Sequence, residues 1–197
     1  MVQEYIYANG PEIQAIRNIA RETKTVISIG ISEKSHPSTA CLYNSNLLIH
    51  NNGQVLVHHR KLMPTFFEKL TWSTGDGYGL RVADTPYGRV GALICGESTN
   101  PLARYSLMAQ REQVHISSWP AIWPTRSLAL SDGGVEVPRN YDNVLANRLR
   151  ADAHCFEAKS YGVMCSGFLD REAIEVIVEG SSSPDVVGHA LHNSARV

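Results

Sequence analysis

The sequence predicts an α/β layered fold built around a mixed sheet. Amphipathic helical segments alternate with short apolar strands along most of the 197 residues. Two pairs of strands are joined by tight turns, which gives antiparallel hairpins, whereas other strands are separated by helices, which gives crossover connections. The presence of both kinds of connection in one chain indicates a mixed sheet covered by helices.

The first helix and the first strand follow each other directly. Residues Pro11 to Lys24 place apolar side chains at positions 13, 16, 19 and 20, the stripe of an amphipathic helix, and Pro11 suits its first turn. Residues Thr25 to Ser32 (TVISIGIS) form a nearly continuous, β-branched apolar run. Such a run is typical of a strand that is covered on both faces.

Two hairpins come next. Asn51-Asn52-Gly53 joins the runs 41–50 and 54–58, and Asn-Gly supplies the positive φ angles that a tight hairpin needs. A second turn, Thr85-Pro86-Tyr87-Gly88, joins 81–83 to 89–94, with proline early in the turn.

The rest of the chain alternates again. The pattern predicts a helix at about 101–111, a strand at 113–118, a loop at 119–141, a helix at 142–160 and a strand at 162–168. The loop of about 20 residues is long enough to indicate a functional or interfacial role. We expect one domain over residues 1–180 and a loose, polar tail at 181–197.

Composition excludes several classes of function. A net charge of −1 without a basic run argues against a nucleic-acid surface, and no apolar stretch approaches the ~18 residues that span a bilayer. The N-terminal residues do not have the pattern of a signal peptide, so we expect a cytoplasmic protein. The eight histidines are scattered and the four cysteines lack metal-ligand spacing, so no metal or other cofactor is implied; Cys155 and Cys165 are interpreted as reduced core residues.

Cys95 lies in the most informative stretch, GALICGESTNPLAR, from Gly91 to Arg104. A short apolar strand ends on this cysteine and a predicted helix follows, so the thiol projects from the end of a sheet strand, where α/β folds place their ligands. The nearby helix N-terminus would favour a thiolate. The alternative is a buried structural cysteine, since free cysteines are among the most buried residues.

A second stretch, HHRKLMPTFFEKLTWSTGDG, runs from His58 to Gly77 and follows the first hairpin. It delivers Lys61 and Glu68 into a loop, and loops at strand ends carry chemistry more often than packing. The alternative is a solvated surface pair. The aromatic side chains Phe66, Phe67 and Trp72 of this loop favour a site, because a purely solvated loop would not need them.

Together, these stretches resemble the nitrilase superfamily of carbon–nitrogen hydrolases, and the resemblance runs from about Ile13 to Leu169. HRKLMPT-x-x-E-x-L-x-W followed by GDG is similar to the lysine loop of nitrilases, C-G-E-S-x-x-P-L-A-R to their nucleophile segment, and QVHISSWP to the strand after it. The resemblance implies an α-β-β-α sandwich that is truncated at both ends, with 1–180 as a partial carbon–nitrogen hydrolase domain. It also implies a homo-oligomer.

The resemblance further implies hydrolysis of a small-molecule nitrile to a carboxylic acid and ammonia through a cysteine thioimidate. Cys95 would be the nucleophile and, in a full-length version of the protein, the first thiol that iodoacetamide labels. Lys61 would stabilise developing charge, and Glu68 would be an accessory carboxylate. Cyanide hydration and amide hydrolysis are neighbouring chemistries.

Trp119, Pro120 and Trp123 would line the substrate pocket or form a subunit contact, whereas Arg148 and Arg150 are interpreted as solvated helix positions.

This chain departs from the family pattern in one important respect. The family's general-base glutamate belongs to a motif that ends in Gly-Tyr-Pro, and none of Glu4, Glu12, Glu22 and Glu33 lies in such a context. Two interpretations therefore stay open: an enzyme, or a catalytically impaired paralogue or fragment that acts only as an assembly partner.

Overall fold

The computed structural model describes residues 5–38, 40–121 and 143–180. The chain divides into two compact units: a larger unit, residues 1–118 and 150–165, and a smaller unit, residues 119–149 and 166–197. The three predicted site residues belong to the larger unit. The expected tail at 181–197 and most of the loop at 119–141 lie outside the described residues.

Four α-helices and seven strands are described. The helices are α1 Pro11–Thr23, α2 Pro101–Ala109, α3 Asn143–Ala158 and α4 Arg171–Glu179. The strands are β1 Ile27–Lys34, β2 Leu42–Ile49, β3 Val55–Arg60, β4 Ala83–Thr85, β5 Gly88–Ile94, β6 Val114–Trp119 and β7 Tyr161–Ser166. Three 3-10 turns are Phe66–Leu70, Gly77–Gly79 and Cys95–Thr99.

The strands form two sheets. β1, β2 and β3 make an antiparallel sheet in that order, and Gly53 in the β2–β3 turn has φ +83°, a conformation that favours glycine. The second sheet has the order β4-β5-β6-β7, with β4 antiparallel and β6 parallel to β5. The second sheet is therefore mixed, as the hairpin and crossover pattern predicts.

Within the larger unit, three apolar clusters stack helix on sheet, sheet on sheet, and sheet on helix. Ile13 and Ala20 of α1 pack against Ile31, Leu47 and Ile49 of the first sheet. The two sheets meet through a second cluster, made of Leu48, Val57, Ala83 and Val90. A third cluster joins Leu93 of β5 to Ala103 and Leu107 of α2. This layering is the expected α-β-β-α sandwich, and each fully buried aliphatic side chain contributes roughly 1.5–3 kcal/mol to it.

One element was not predicted from the sequence. Helix α4 begins after Asp170, whose carboxylate accepts a hydrogen bond from the backbone amide of Ala173 and caps the helix. The Asp170 cap followed by an apolar stripe that includes the buried Ile174 is the signal that could have found it.

Candidate functional site

Cys95 begins a 3-10 turn at the end of β5. Its φ angle is +51°, a left-handed conformation that costs a residue other than glycine some energy and is common at functional turns. Helix α2 starts only at Pro101, and the Asn100 side chain already caps it by accepting from the amides of Leu102 and Ala103. Between the thiol and the helix lie the 3-10 turn Cys95–Thr99 and the cap residue Asn100.

The Cys95 thiol lies in a mixed electrostatic environment. Burial raises its pKa above the usual value, the positive charge of Lys61 acts to lower it, and the negative charge of Glu68 acts to raise it. The net pKa shift is upward, so the thiolate that the sequence favoured is not the stable form at neutral pH. Because both charges act on the thiol, the structure brings all three predicted site residues together.

Lys61 and Glu68 form a buried ion pair. Nζ of Lys61 donates to Oε2 of Glu68 at 2.6 Å, and the side chains are 1% and 9% exposed. The alternative of a solvated surface pair is therefore wrong. Removal of one partner from such a buried pair strongly destabilises the folded protein, because the other charge is left without compensation.

The lysine loop, residues 61–75, is held by short-range hydrogen bonds. Thr65 and Glu68 form a capping box on the turn Phe66–Leu70, in which the same Oε2 of Glu68 accepts from the amide of Thr65 at 2.6 Å. The spacing Thr-x-x-Glu is a signal for this motif that the sequence analysis did not use. The capping box orients the carboxylate that holds Lys61.

Glycines allow the lysine loop to pack closely. A Cβ on Gly75 would lie 2.4 Å from the carbonyl oxygen of Arg60, so only glycine fits where the loop returns to the end of β3. A Cβ on Gly96 would lie 3.0 Å from Oγ1 of Thr65. The turn after Cys95 thus contacts the lysine loop directly, and Gly96 leaves room for it.

Glu97 connects the two halves of the site. Its Oε1 accepts from the amide of Leu62 at 2.6 Å, and its Oε2 accepts from the amide of Ile94 at 2.9 Å. Nε2 of His59 lies 2.9 Å from Oε2, and both side chains are buried. No local sequence pattern indicates a role for His59, because its partner is 38 residues away in the chain.

Glu33 belongs to a separate polar cluster. Although burial acts to raise the pKa of Glu33, hydrogen bonds from His58, Arg60 and Ser45 together lower it to about 2. A carboxylate with so low a pKa is a weak proton acceptor, so Glu33 is unsuited to the role of general base. A cavity of about 470 Å³ beside this cluster is lined by Glu33, His58 and Arg60, but by none of the three predicted site residues.

A second buried cluster joins Glu112, His115 and His154. One carboxylate oxygen lies 2.8 Å from Nδ1 of His115 and the other 2.7 Å from Nε2 of His154, and the imidazole rings stack at 3.6 Å. Their potential ligand atoms lie within 4.8 Å of one another, a donor set of the kind that binds zinc. The carboxylate pairs with both rings, whereas Nε2 of His115 and Nδ1 of His154 are buried without a hydrogen-bond partner among the described residues. The expectation of no metal stays a prediction.

The remaining site predictions have different outcomes. Trp119 is buried, whereas Trp123 lies outside the described residues. Arg148 is exposed and Arg150 is half-buried, and the charge of Arg150 acts to lower the pKa of Cys95. Cys155 and Cys165 are free thiols, but Cys165 is exposed rather than part of a core.

Comparison with known proteins identifies the family. The carbon–nitrogen hydrolase family model matches residues 2–169. The chain belongs to the carbon–nitrogen hydrolase family. It is 41% identical over 120 residues to a nitrilase of Paraburkholderia phymatum, covering 61% of this chain and 34% of the relative. It is 31% identical over 176 residues to a nitrilase of Penicillium rubens, covering 87% of this chain and 51% of the relative.

A solved structure shares the fold. The carbon–nitrogen hydrolase of Helicobacter pylori G27 matches with a TM-score of 0.64 at 16% identity, over 82% of this chain and 53% of that one. The chain spans between a third and a half of the length of the curated relatives it matches.

Among residues 5–38, 40–121 and 143–180, no helix is long and apolar enough to cross a membrane. Cytoplasmic location and homo-oligomerisation stay predictions.

Proposed function

We propose that this chain contributes the nucleophile and the charge-stabilising cation of an enzyme that hydrolyses nitriles to carboxylic acids and ammonia. The observation that carries the proposal is the buried Lys61–Glu68 pair, whose charges act on the Cys95 thiol. Family membership and relatives named nitrilases support the same chemistry.

In the proposed reaction, the Cys95 thiolate attacks the nitrile carbon, and the nitrogen takes up a proton to give a thioimidate. Water then adds to the thioimidate carbon and ammonia leaves, which produces an acyl-thioester. A second water hydrolyses the thioester and releases the acid and the thiol. Two water molecules are consumed for each nitrile. Lys61 stabilises the negative charge that grows on the nitrile nitrogen, a role worth a few kcal/mol of barrier.

The thiol proton needs an acceptor. Oε2 of Glu68 already accepts from Lys61 and from the amide of Thr65, so we propose that Glu68 orients Lys61 and is at most a weak base. The main base would be a carboxylate outside the 197 residues, as the family motif suggests. Without it, the raised pKa of Cys95 leaves little thiolate at neutral pH.

A second candidate is a catalytically impaired chain that acts as an assembly partner, because none of Glu4, Glu12, Glu22 and Glu33 lies in the family's general-base motif. The two candidates differ in what a supplied base would do. An enzyme lacking only its base gains turnover when the base is provided, whereas an assembly partner does not. Amides and cyanide should be tested as substrates beside nitriles, because amidases and cyanide hydratases perform neighbouring chemistry.

Ammonia release from a panel of nitriles, amides and cyanide tests the proposal. We expect the purified chain to remain within about tenfold of background. Joined to the N-terminal segment of the Paraburkholderia phymatum relative, it should turn over nitriles well above background. Cys95→Ala should abolish that turnover, whereas the matched control Cys155→Ala, which removes another partly buried free thiol, should not. No turnover by the joined protein would favour the assembly partner.

A further inference from the structure

We propose that the buried pair His59–Glu97 is a positioning pair that sets the distance between Lys61 and Cys95. This inference rests on the proposed function, because it concerns the same site. Each backbone amide that Glu97 accepts from belongs to a residue next to a site residue: Leu62 follows Lys61, and Ile94 precedes Cys95. One carboxylate therefore connects the lysine loop to the end of the nucleophile strand.

The connection is short and rigid. The two amide contacts, 2.6 Å and 2.9 Å, end on the two oxygens of a single carboxylate, so two hydrogen bonds and one rigid group link the two backbones. Charge-assisted hydrogen bonds of this kind are roughly twice as strong as neutral ones. A rotation or shift of the carboxylate would strain or break at least one of these hydrogen bonds.

His59 holds the carboxylate in place. Its Nε2 contacts both oxygens, at 3.0 Å and 2.9 Å, and the two side chains are only 2% and 3% exposed. His59 is itself fixed, because it lies on β3 and a Cβ on Gly79 would come within 2.4 Å of its Cα. A buried carboxylate with a pre-placed donor keeps one orientation, since it would otherwise be left without compensation.

The pair acts through other residues and not on the substrate. The Glu97 carboxylate accepts from two backbone amides and is hydrogen-bonded to His59. Together these bonds occupy most of the acceptor capacity of a carboxylate. The effect on the reaction comes from geometry: a displacement of about 1 Å in a catalytic group can cost about 100-fold in rate.

The test uses Glu97→Gln, which keeps the size but has one acceptor oxygen where the carboxylate has two. The matched control is Ser98→Ala on the same turn, since the buried Ser98 hydroxyl has no hydrogen-bond partner among the described residues. Two readouts are followed: the pH dependence of iodoacetamide alkylation at Cys95, resolved by peptide mass spectrometry, and kcat and KM of the joined protein described above.

If the pair positions Lys61, Glu97→Gln shifts the alkylation profile of Cys95 to higher pH, in the same direction as Lys61→Met, because the thiolate loses its nearby cation. We also expect kcat to fall by about 100-fold with little change in KM. Ser98→Ala should leave both readouts unchanged. An unaltered alkylation profile in a folded Glu97→Gln protein, with only the melting temperature lowered, overturns the inference.

A second variant keeps the inference testable if Glu97→Gln does not fold. His59→Gln retains a donor, and it should give a smaller shift of the alkylation profile in the same direction. No shift would contradict the inference. The alkylation readout also separates the two proposals: a shifted profile in a protein that hydrolyses no nitrile supports the positioning pair and contradicts nitrile hydrolysis.

Discussion

Nζ of Lys61 donates to Oε2 of Glu68 over 2.6 Å in an interior where the lysine side chain is only 1% exposed. A lysine is rarely buried so completely unless its charge is compensated. Here the carboxylate provides the compensation, and the Cys95 thiol responds to both charges.

Replacement of this cation should reduce catalysis far more than binding. In the joined protein, Lys61→Met should lower kcat by about 100-fold or more, because a fixed charge that stabilises the transition state is lost. Steady-state ammonia release measures the change. Lys69→Met, on the same loop, is the control. A near-normal kcat in the Lys61→Met protein would show that Lys61 takes no part in the reaction.

The thiols of the 197-residue chain should differ in reactivity. Hydrogen bonds from Ser38 and Ser73 lower the pKa of Cys41, whereas burial raises the pKa of Cys95. Because the thiolate is the reactive form, iodoacetamide at neutral pH should label Cys41 before Cys95 in the unextended chain, which is the 197-residue chain without an added N-terminal segment. Time-resolved peptide mapping measures both rates. Faster labelling of Cys95 would show that the site stabilises a thiolate despite its burial.

The differences between sequence and structure have a common physical cause. The hairpin turn at Asn52-Gly53 is local, so its residues alone predict it. The partners of Glu112 and Glu97 are not local: His154 lies 42 residues after Glu112, and His59 lies 38 residues before Glu97. Single side chains at such separations leave no periodic signal.

The thiolate expectation failed for a related reason. The sequence placed a helix after Cys95, but it did not reveal the intervening 3-10 turn, and it offered burial of the thiol only as an alternative. The structure shows a half-buried Cys95. Burial depends on the layers that pack over a residue, and several distant segments contribute to those layers. The lysine loop was predictable as a site because its residues resemble a known motif, not because their spacing alone defines one.

The cluster of Glu112, His115 and His154 should make folding sensitive to acid. Burial lowers the pKa of His115, against the effect of Glu112, while His154 and Arg104 act in the same direction as burial. Hydrogen bonds from both histidines lower the pKa of Glu112, although burial opposes them.

The lowered pKa values of His115 and Glu112 change the stability in the same direction as the pH falls. The folded protein binds these protons less readily than the unfolded chain, so the stabilisation is complete above pH 6.5 for His115 and above pH 4.5 for Glu112, and it is lost as the pH falls. Urea unfolding between pH 4 and 8 should show stability decreasing below pH 6.5, by up to ~1.4 kcal/mol per pH unit for each proton. His115→Gln should weaken this dependence, whereas His36→Gln on the surface should not. Equal slopes would exclude the cluster as the cause.

Core packing between β5 and α2 gives a prediction that is independent of chemistry. Leu107 of α2 is fully buried against Leu93, whereas Leu102 on the same helix is 78% exposed. Leu107→Ala should lower the free energy of unfolding by about 2–5 kcal/mol, and Leu102→Ala by less than about 0.5 kcal/mol. Chemical denaturation distinguishes them, and comparable losses would contradict the helix orientation.

The most direct test is whether a nitrile forms a covalent bond with Cys95. At pH 9, solvent hydroxide can remove the thiol proton even where no general base is present, so the unextended chain is sufficient. Peptide mass spectrometry after incubation with aliphatic and aryl nitriles should find the mass of a thioimidate or acyl adduct on Cys95, with a much lower yield in Lys61→Met. An adduct on Cys41 with none on Cys95, or an undiminished yield in Lys61→Met, would contradict the proposed site.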